Sequence, residues 1–113
     1  MINDWDLFLD DERYPPAARI WECNWKIARN VDDAMWFIKT YGVPRYMTLD
    51  HDLGYKKLSG MDFVKMFCDY VMDQEIQLAD FEWYVHSQNP VGAENMKTYL
   101  ETFMDGYYYE QTK

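Results

Sequence analysis

The sequence predicts an α/β fold built on a short parallel sheet, and three observations predict it. Short apolar runs, Leu7-Phe8-Leu9, Tyr46-Met47-Thr48-Leu49 and Trp83-Tyr84-Val85, each stop abruptly at polar or ionisable residues. Stretches with apolar residues at helical spacing separate or follow them. Strands alternating with helices imply parallel pairing through right-handed crossovers.

The first strand, about Trp5–Leu9, lacks polar alternation, as suits a strand covered on both faces. Tyr14-Pro15-Pro16 follows Arg13; paired prolines remove donors and disfavour a helix, so the link from Pro15 to Asn24 reads as an irregular loop or one short turn, not a full helix. Apolar and basic residues alternate over the second strand, Trp25–Arg29, which suits an edge. Asn30 is a fitting cap for a helix over Val31–Tyr41, and Asp32 and Asp33 favour its positive start. Gly42 and Pro44 stop that helix. The third strand is about Arg45–Leu49, followed by a polar loop over Asp50–Leu58 in which Gly54–Ser59, with Lys56 and Lys57, reads as a candidate lid or as solvated loop. Ser59 can cap a helix over Gly60–Gln74 whose Phe63, Phe67, Tyr70 and Val71 share a face; its Met61, Met66 and Met72 read as core filling. The fourth strand is about Phe81–Val85. Asn89 caps a last helix with Pro90 at its first position and a stripe of Met96, Tyr99, Leu100 and Phe103. Gly106 is expected to end it, leaving Tyr107-Tyr108-Tyr109 as an edge strand or loose extension.

The length of 113 residues suits one domain over 1–113, able to bury roughly two-thirds of its unfolded surface. The formal net charge of −9 lacks the basic footprint of a protein that grips long nucleic acid, and long duplexes are not expected as partners. An acidic, aromatic-rich surface also suits a protein partner. Cys23 and Cys68 lack metal or redox spacing, and no apolar run approaches the ~18 residues of a membrane span. The expectation is a cytoplasmic protein without membrane attachment.

Ligands of open α/β sheets bind beyond the carboxyl ends of parallel strands. Neighbouring strands would bring three clusters into one crevice: Asp10-Asp11-Glu12-Arg13, Asp50-His51-Asp52-Leu53-Gly54, and His86-Ser87-Gln88-Asn89-Pro90. Crowded carboxylates repel unless protonated or bridged by a cation, and hard oxygen ligands favour Mg²⁺. Asp10, Asp11 and Asp50, with Asp52, are the candidate metal ligands; the plain alternative is a solvated acidic loop. His51 and His86 are the only histidines, and as a pair they could supply one acid and one base, or simply order the loops. Ser87, Asn89 and the following helix start offer donors to an anion, and Gly92 removes a Cβ that would obstruct a ligand. The alternative there is an ordinary helix cap. Arg13 either neutralises a phosphate or pairs with Glu12 or Asp11.

With these residues assembled, the chain resembles the receiver (response-regulator) superfamily, and more closely its cyclic-phosphate-processing branch. The carrying motifs are Leu7-Phe8-Leu9-Asp10-Asp11-Glu12-Arg13 with the following prolines, Thr48-Leu49-Asp50-His51-Asp52-Leu53-Gly54, Ser59-Gly60-Met61-Asp62, and Val85-His86-Ser87-Gln88-Asn89-Pro90-Val91-Gly92 with Met96. The resemblance implies a receiver-like (flavodoxin-like) three-layer fold with strand order 2-1-3-4 and the first crossover helix replaced by the Pro-rich loop. It implies Mg²⁺ held by Asp10, Asp11 and Asp50, with Asp50 in the phosphoacceptor position and Ser87 in that of the phosphate-sensing hydroxyl. Receivers also carry a lysine after a fifth strand, without counterpart here, and the two histidines are not receiver features. Both departures point away from two-component phosphotransfer. The implied role is a Mg²⁺-dependent phosphoesterase or binding domain for cyclic phosphates, as RNA ends or cyclic nucleotides, with His51, His86 and Asp50 as catalytic groups and Arg13, Ser87, Asn89 and Gly92 holding the ligand. The rival readings are a non-enzymatic acidic interaction or inhibitor protein on the same scaffold, and a phosphoacceptor at Asp50.

Overall fold

The computed structural model describes residues 3–16 and 24–112, with side chains through Tyr107. Cys23 and most of the Pro-rich connection fall on residues 17–23, outside the described residues. The elements run β1 (Asn3–Leu9), β2 (Trp25–Ala28), α1 (Val31–Tyr41), β3 (Pro44–Leu49), α2 (Gly60–Asp73), β4 (Glu82–Val85) and α3 (Pro90–Thr112). All strand pairs are parallel and the sheet order is β2-β1-β3-β4, as expected from the receiver-like pattern.

Successive strand residues point to opposite faces, and that alternation divides the sheet chemically. Leu7, Leu9, Met47, Leu49 and Val85 join Ile38 of α1, Phe63 and Phe67 of α2, and Met96 and Leu100 of α3 in one buried cluster. Each large apolar side chain buried there contributes about 1.5–3 kcal/mol. α2 lies between α1 and α3, touching both. The three helices therefore share one face of the sheet. The other face carries Phe8, Trp25, Tyr46, Thr48 and Tyr84, and no helix among the described residues covers it. The described residues thus supply two of the expected three layers.

Local chemistry sets the helix ends. Asn30 Oδ1 accepts the Asp33 amide at 2.8 Å to open α1. Ser59 and Asp62 form a reciprocal capping box on α2. Asn89 Oδ1 accepts the Gly92 amide at 3.0 Å to open α3. Gly42, at φ 87°, closes α1 in a backbone region that favours glycine.

Two expectations are corrected. Gly106 does not end the last helix, which continues to Thr112. Glycine costs an exposed helix only about 1 kcal/mol, and Tyr107 anchors the next turn. Its ring stacks on Phe103 with centroids 5.1 Å apart, and its hydroxyl donates to Ile76 O at 2.8 Å. The Tyr107–Tyr109 stretch is therefore helical. Met66 and Met72 are exposed rather than core filling, because Phe63, Val64, Phe67, Cys68 and Val71 already define the inner face of α2. Only Met61 packs against the core. Burial pushes the Cys68 thiol up to about 12, with Asp69 adding to the shift, as suits a packing residue. No helix among the described residues is long and apolar enough to cross a membrane.

Candidate functional site

The sheet ladder continues one rung past the strands and places the site. The Asp10 amide donates to Ala28 O at 3.1 Å, the Asp50 amide to Leu9 O at 2.9 Å, and the His86 amide to Leu49 O at 2.9 Å. Three residues from three separate motifs therefore stand side by side at the carboxyl edge. Asp10, Asp11 and Asp50 bring carboxylate oxygens within 4.8 Å of one another. Asp10 and Asp50 are buried and Asp11 is exposed.

Asp10 is held from four directions. Its Oδ1 accepts the amides of Glu12 at 3.0 Å and Arg13 at 2.8 Å. Its Oδ2 accepts Arg13 Nε at 2.7 Å and faces His86 Nε2 at 3.0 Å. Burial alone would raise the pKa of Asp10. The Arg13 and Glu12 amides, His86 and the Arg13 charge outweigh it and hold the carboxyl below its ordinary value. Arg13 Nη2 also lies 3.3 Å from Asp50 Oδ2, so one guanidinium bridges the two buried carboxylates. Its partners are Asp10 and Asp50, not the adjacent Glu12 or Asp11. Arg29 supports the turn by donating to the carbonyls of Asp10 and Arg13.

Both ring nitrogens of His86 are engaged inside the fold. Nδ1 lies 2.7 Å from Thr48 Oγ1, and Nε2 faces Asp10. With Asp10 ionised, Nε2 donates to it, and Nδ1 of a neutral ring then accepts from the Thr48 hydroxyl. The ring also stacks on Phe8, centroids 4.9 Å apart and 6° from parallel.

His51 belongs to a second cluster. Its Nδ1 lies 2.7 Å from Asp52 Oδ1, and Asn89 Nδ2 approaches the same oxygen at 3.4 Å. The His51 hydrogen bond is the main cause holding Asp52 below its ordinary pKa, against a smaller opposing effect of burial. Gly92 explains the ring's position: a Cβ there would meet His51 Cγ at 2.5 Å. The missing Cβ thus makes room for an imidazole, where the sequence suggested room for a ligand. Gly60 acts similarly beneath Asp50, since its Cβ would fall 2.0 Å from the Asp50 carbonyl oxygen.

A cleft of about 710 Å³ lies over these groups. Of the candidate residues from sequence, Asp11, Arg13, Asp50, Asp52 and Asn89 line it. Asp10 and His86 sit below and to one side, joined to it through Arg13. His51 stands behind Asp52, and Ser87 Oγ accepts the Asn89 amide at 3.0 Å, fixing the α3 start. The Leu53–Ser59 loop forms one wall through Gly54, Tyr55 and Lys57. Lys57, Gln88, Thr48 and Gly60 belong to this neighbourhood but were not among the candidate site residues. Thr48 carried a signal, being the one aliphatic hydroxyl in its apolar run; Gly60 carried another, a glycine directly after a helix cap.

The donor chemistry of Asp10, Asp11 and Asp50 fits a small hard cation such as the Mg²⁺ that receiver domains bind. Arg13 also contacts Oδ2 of Asp10 and of Asp50, at 2.7 and 3.3 Å, so its positive charge stands beside two of the three candidate ligands.

Comparison with known protein families matches residues 5–102 to the Cyclic-phosphate processing Receiver domain. No curated protein and no solved structure matches the chain. The matched span contains the acidic triad, Arg13, both histidines and the α3 start, and on that match this chain belongs to the cyclic-phosphate-processing receiver domain family.

Proposed function

We propose that the acidic cleft receives the phosphate of a cyclic phosphodiester and opens its ring by hydrolysis. One observation carries this reading: Asp11, Asp50, Arg13, Asp52 and Asn89 line a single cleft. Carboxylate and cationic groups in one recess suit a ligand that must be both charge-neutralised and attacked.

Arg13 and Lys57 line the cleft and offset phosphate charge, while Asn89 presents an amide beside them. Asp10, Asp11 and Asp50 would hold Mg²⁺, which when bound neutralises phosphate charge and polarises its oxygens. Asp52 is the base. His51 fixes its Oδ1, leaving Oδ2 for a water. Asp52 takes a proton as the water oxygen bonds to phosphorus. The phosphorus bond to one ribose oxygen breaks, and that oxygen takes a proton from solvent. Asp52 then returns its proton to solvent, so the net change is one water added across one P–O bond. His51 positions Asp52, and His86 positions Asp10 and, through it, Arg13.

Phosphorus NMR tests this with adenosine 2′,3′-cyclic phosphate, with and without Mg²⁺. The cyclic signal should give way to a monoester signal, and Asp52→Asn should slow that by about a hundredfold or more. Binding without ring opening would leave a sequestering module. The absence of both binding and ring opening would refute the proposal.

A further inference from the structure

The face of the sheet opposite the helices carries a second recess, of about 490 Å³, within the range of small-ligand pockets. The pairings Phe8↔Thr48 and Thr48↔Tyr84 place these three residues in one row across β1, β3 and β4. The pairings Asp6↔Trp25 and Asp6↔Tyr46 set Trp25 and Tyr46 in the next row. Their rings interlock: Trp25 meets Phe8 edge-on at 5.9 Å and Tyr46 at 6.0 Å. Tyr84 stands 56% exposed at the margin.

This recess adjoins the acidic cleft at one residue. Arg13 lines both. His86 lines the aromatic recess while its Nε2 faces Asp10 Oδ2. A ligand with its phosphate against Arg13 therefore has an aromatic-walled recess on the other side of the same guanidinium.

We infer that the aromatic recess is a nucleobase subsite, and that the ligand is a nucleoside cyclic phosphate. The inference rests on the phosphate reading above and adds the substrate class. Flat rings on an open sheet stack bases, a mode that is tolerant of base identity because every base has a π-face. Tyrosine hydroxyls and Thr48 add hydrogen-bonding groups around an otherwise apolar wall. The net charge of −9 opposes a long polyanion but not a single nucleotide.

The test titrates four probes in Mg²⁺ and follows the tryptophan indole N–H resonances. The probes are adenosine 2′,3′-cyclic phosphate, a short RNA with the same end group, ethylene phosphate (a cyclic phosphate with no base) and adenosine. The nucleotide should bind roughly tenfold or more tightly than ethylene phosphate, in keeping with one stacked base, and should shift the Trp25 indole. Tyr84→Ala should weaken the nucleotide and narrow that gap, with Tyr84→Phe restoring it. The mononucleotide should bind more tightly than the RNA. Equal affinity for the two cyclic phosphates would overturn the subsite and leave the phosphate reading standing. Adenosine binding at Trp25 with no gain from the phosphate would support the base recess and refute the phosphate site. No binding by any probe would overturn both.

Discussion

Replacing Gly92 with alanine should damage the site far more than the fold. The new Cβ would lie 2.5 Å from His51 Cγ and 2.6 Å from Cδ2. Ordinary contact begins at 3.4 Å, so the ring must retreat by roughly 1 Å. A ring displaced by that much should no longer hold the His51–Asp52 hydrogen bond at its 2.7 Å length. Stability should change modestly. Alanine regains up to about 1 kcal/mol of helix propensity, against an overpacking cost of about 1–3 kcal/mol. The net loss expected in urea unfolding is about 0–2 kcal/mol. A displacement of this size near reacting groups costs about a hundredfold in rate, so cyclic-phosphate opening should fall by that order. Asp52 supplies a second readout. His51 is the chief cause holding its pKa down, so the Asp52 carboxyl should move up toward its ordinary value in a carbon-detected NMR titration. An unchanged Asp52 titration together with unchanged ring opening would refute the reasoning.

Gly106→Ala should stabilise the protein by about 0.5–1 kcal/mol in thermal unfolding, because the added Cβ meets nothing within 4 Å and lies inside a continuous helix; destabilisation would contradict the extension of α3 past this residue. Arg13→Gln should weaken phosphate binding yet strengthen Mg²⁺ binding, since a positive charge beside Asp10 and Asp50 is removed. Calorimetric titration should show the tighter metal, and the variant's melting temperature should depend on Mg²⁺ more steeply than wild type. Asp10 has a folded pKa below its unfolded value, so the stability it contributes is present above the ordinary carboxylate value of 3.8 and is lost as pH falls from there through the lower folded value. Acid unfolding of Asp10→Asn should show a weaker dependence on pH across that window than wild type.

Much of the scaffold was legible because its signals are local. The span of α1 matches the reading from Asn30, Asp32, Asp33 and Gly42, where cap, dipole and stop agree. Ser59 and Asn89 likewise announce their helices. Gly106 misled because a stop signal competes with tertiary anchoring, and the Tyr107 hydroxyl bond to Ile76 spans 31 positions of sequence. Spacing alone could not show that Met66 and Met72 face outward, since that depends on which stripe of α2 meets the sheet.

The sequence by itself determined that three strand ends carry the chemistry, because an apolar run followed by aspartate or histidine is a covalent fact of the chain. It also determined the strand order, through the pattern that the family shares. Only the tertiary structure decided how those groups are shared out. Arg13 takes the buried oxygens of Asp10 and Asp50, His86 is enclosed by Thr48 and Asp10, and Gly92 shelters His51 rather than a ligand. Apart from the local Arg13–Asp10 contact, these pairings join residues distant in sequence. Their geometry follows from strand register and helix placement, which no short stretch of sequence specifies alone.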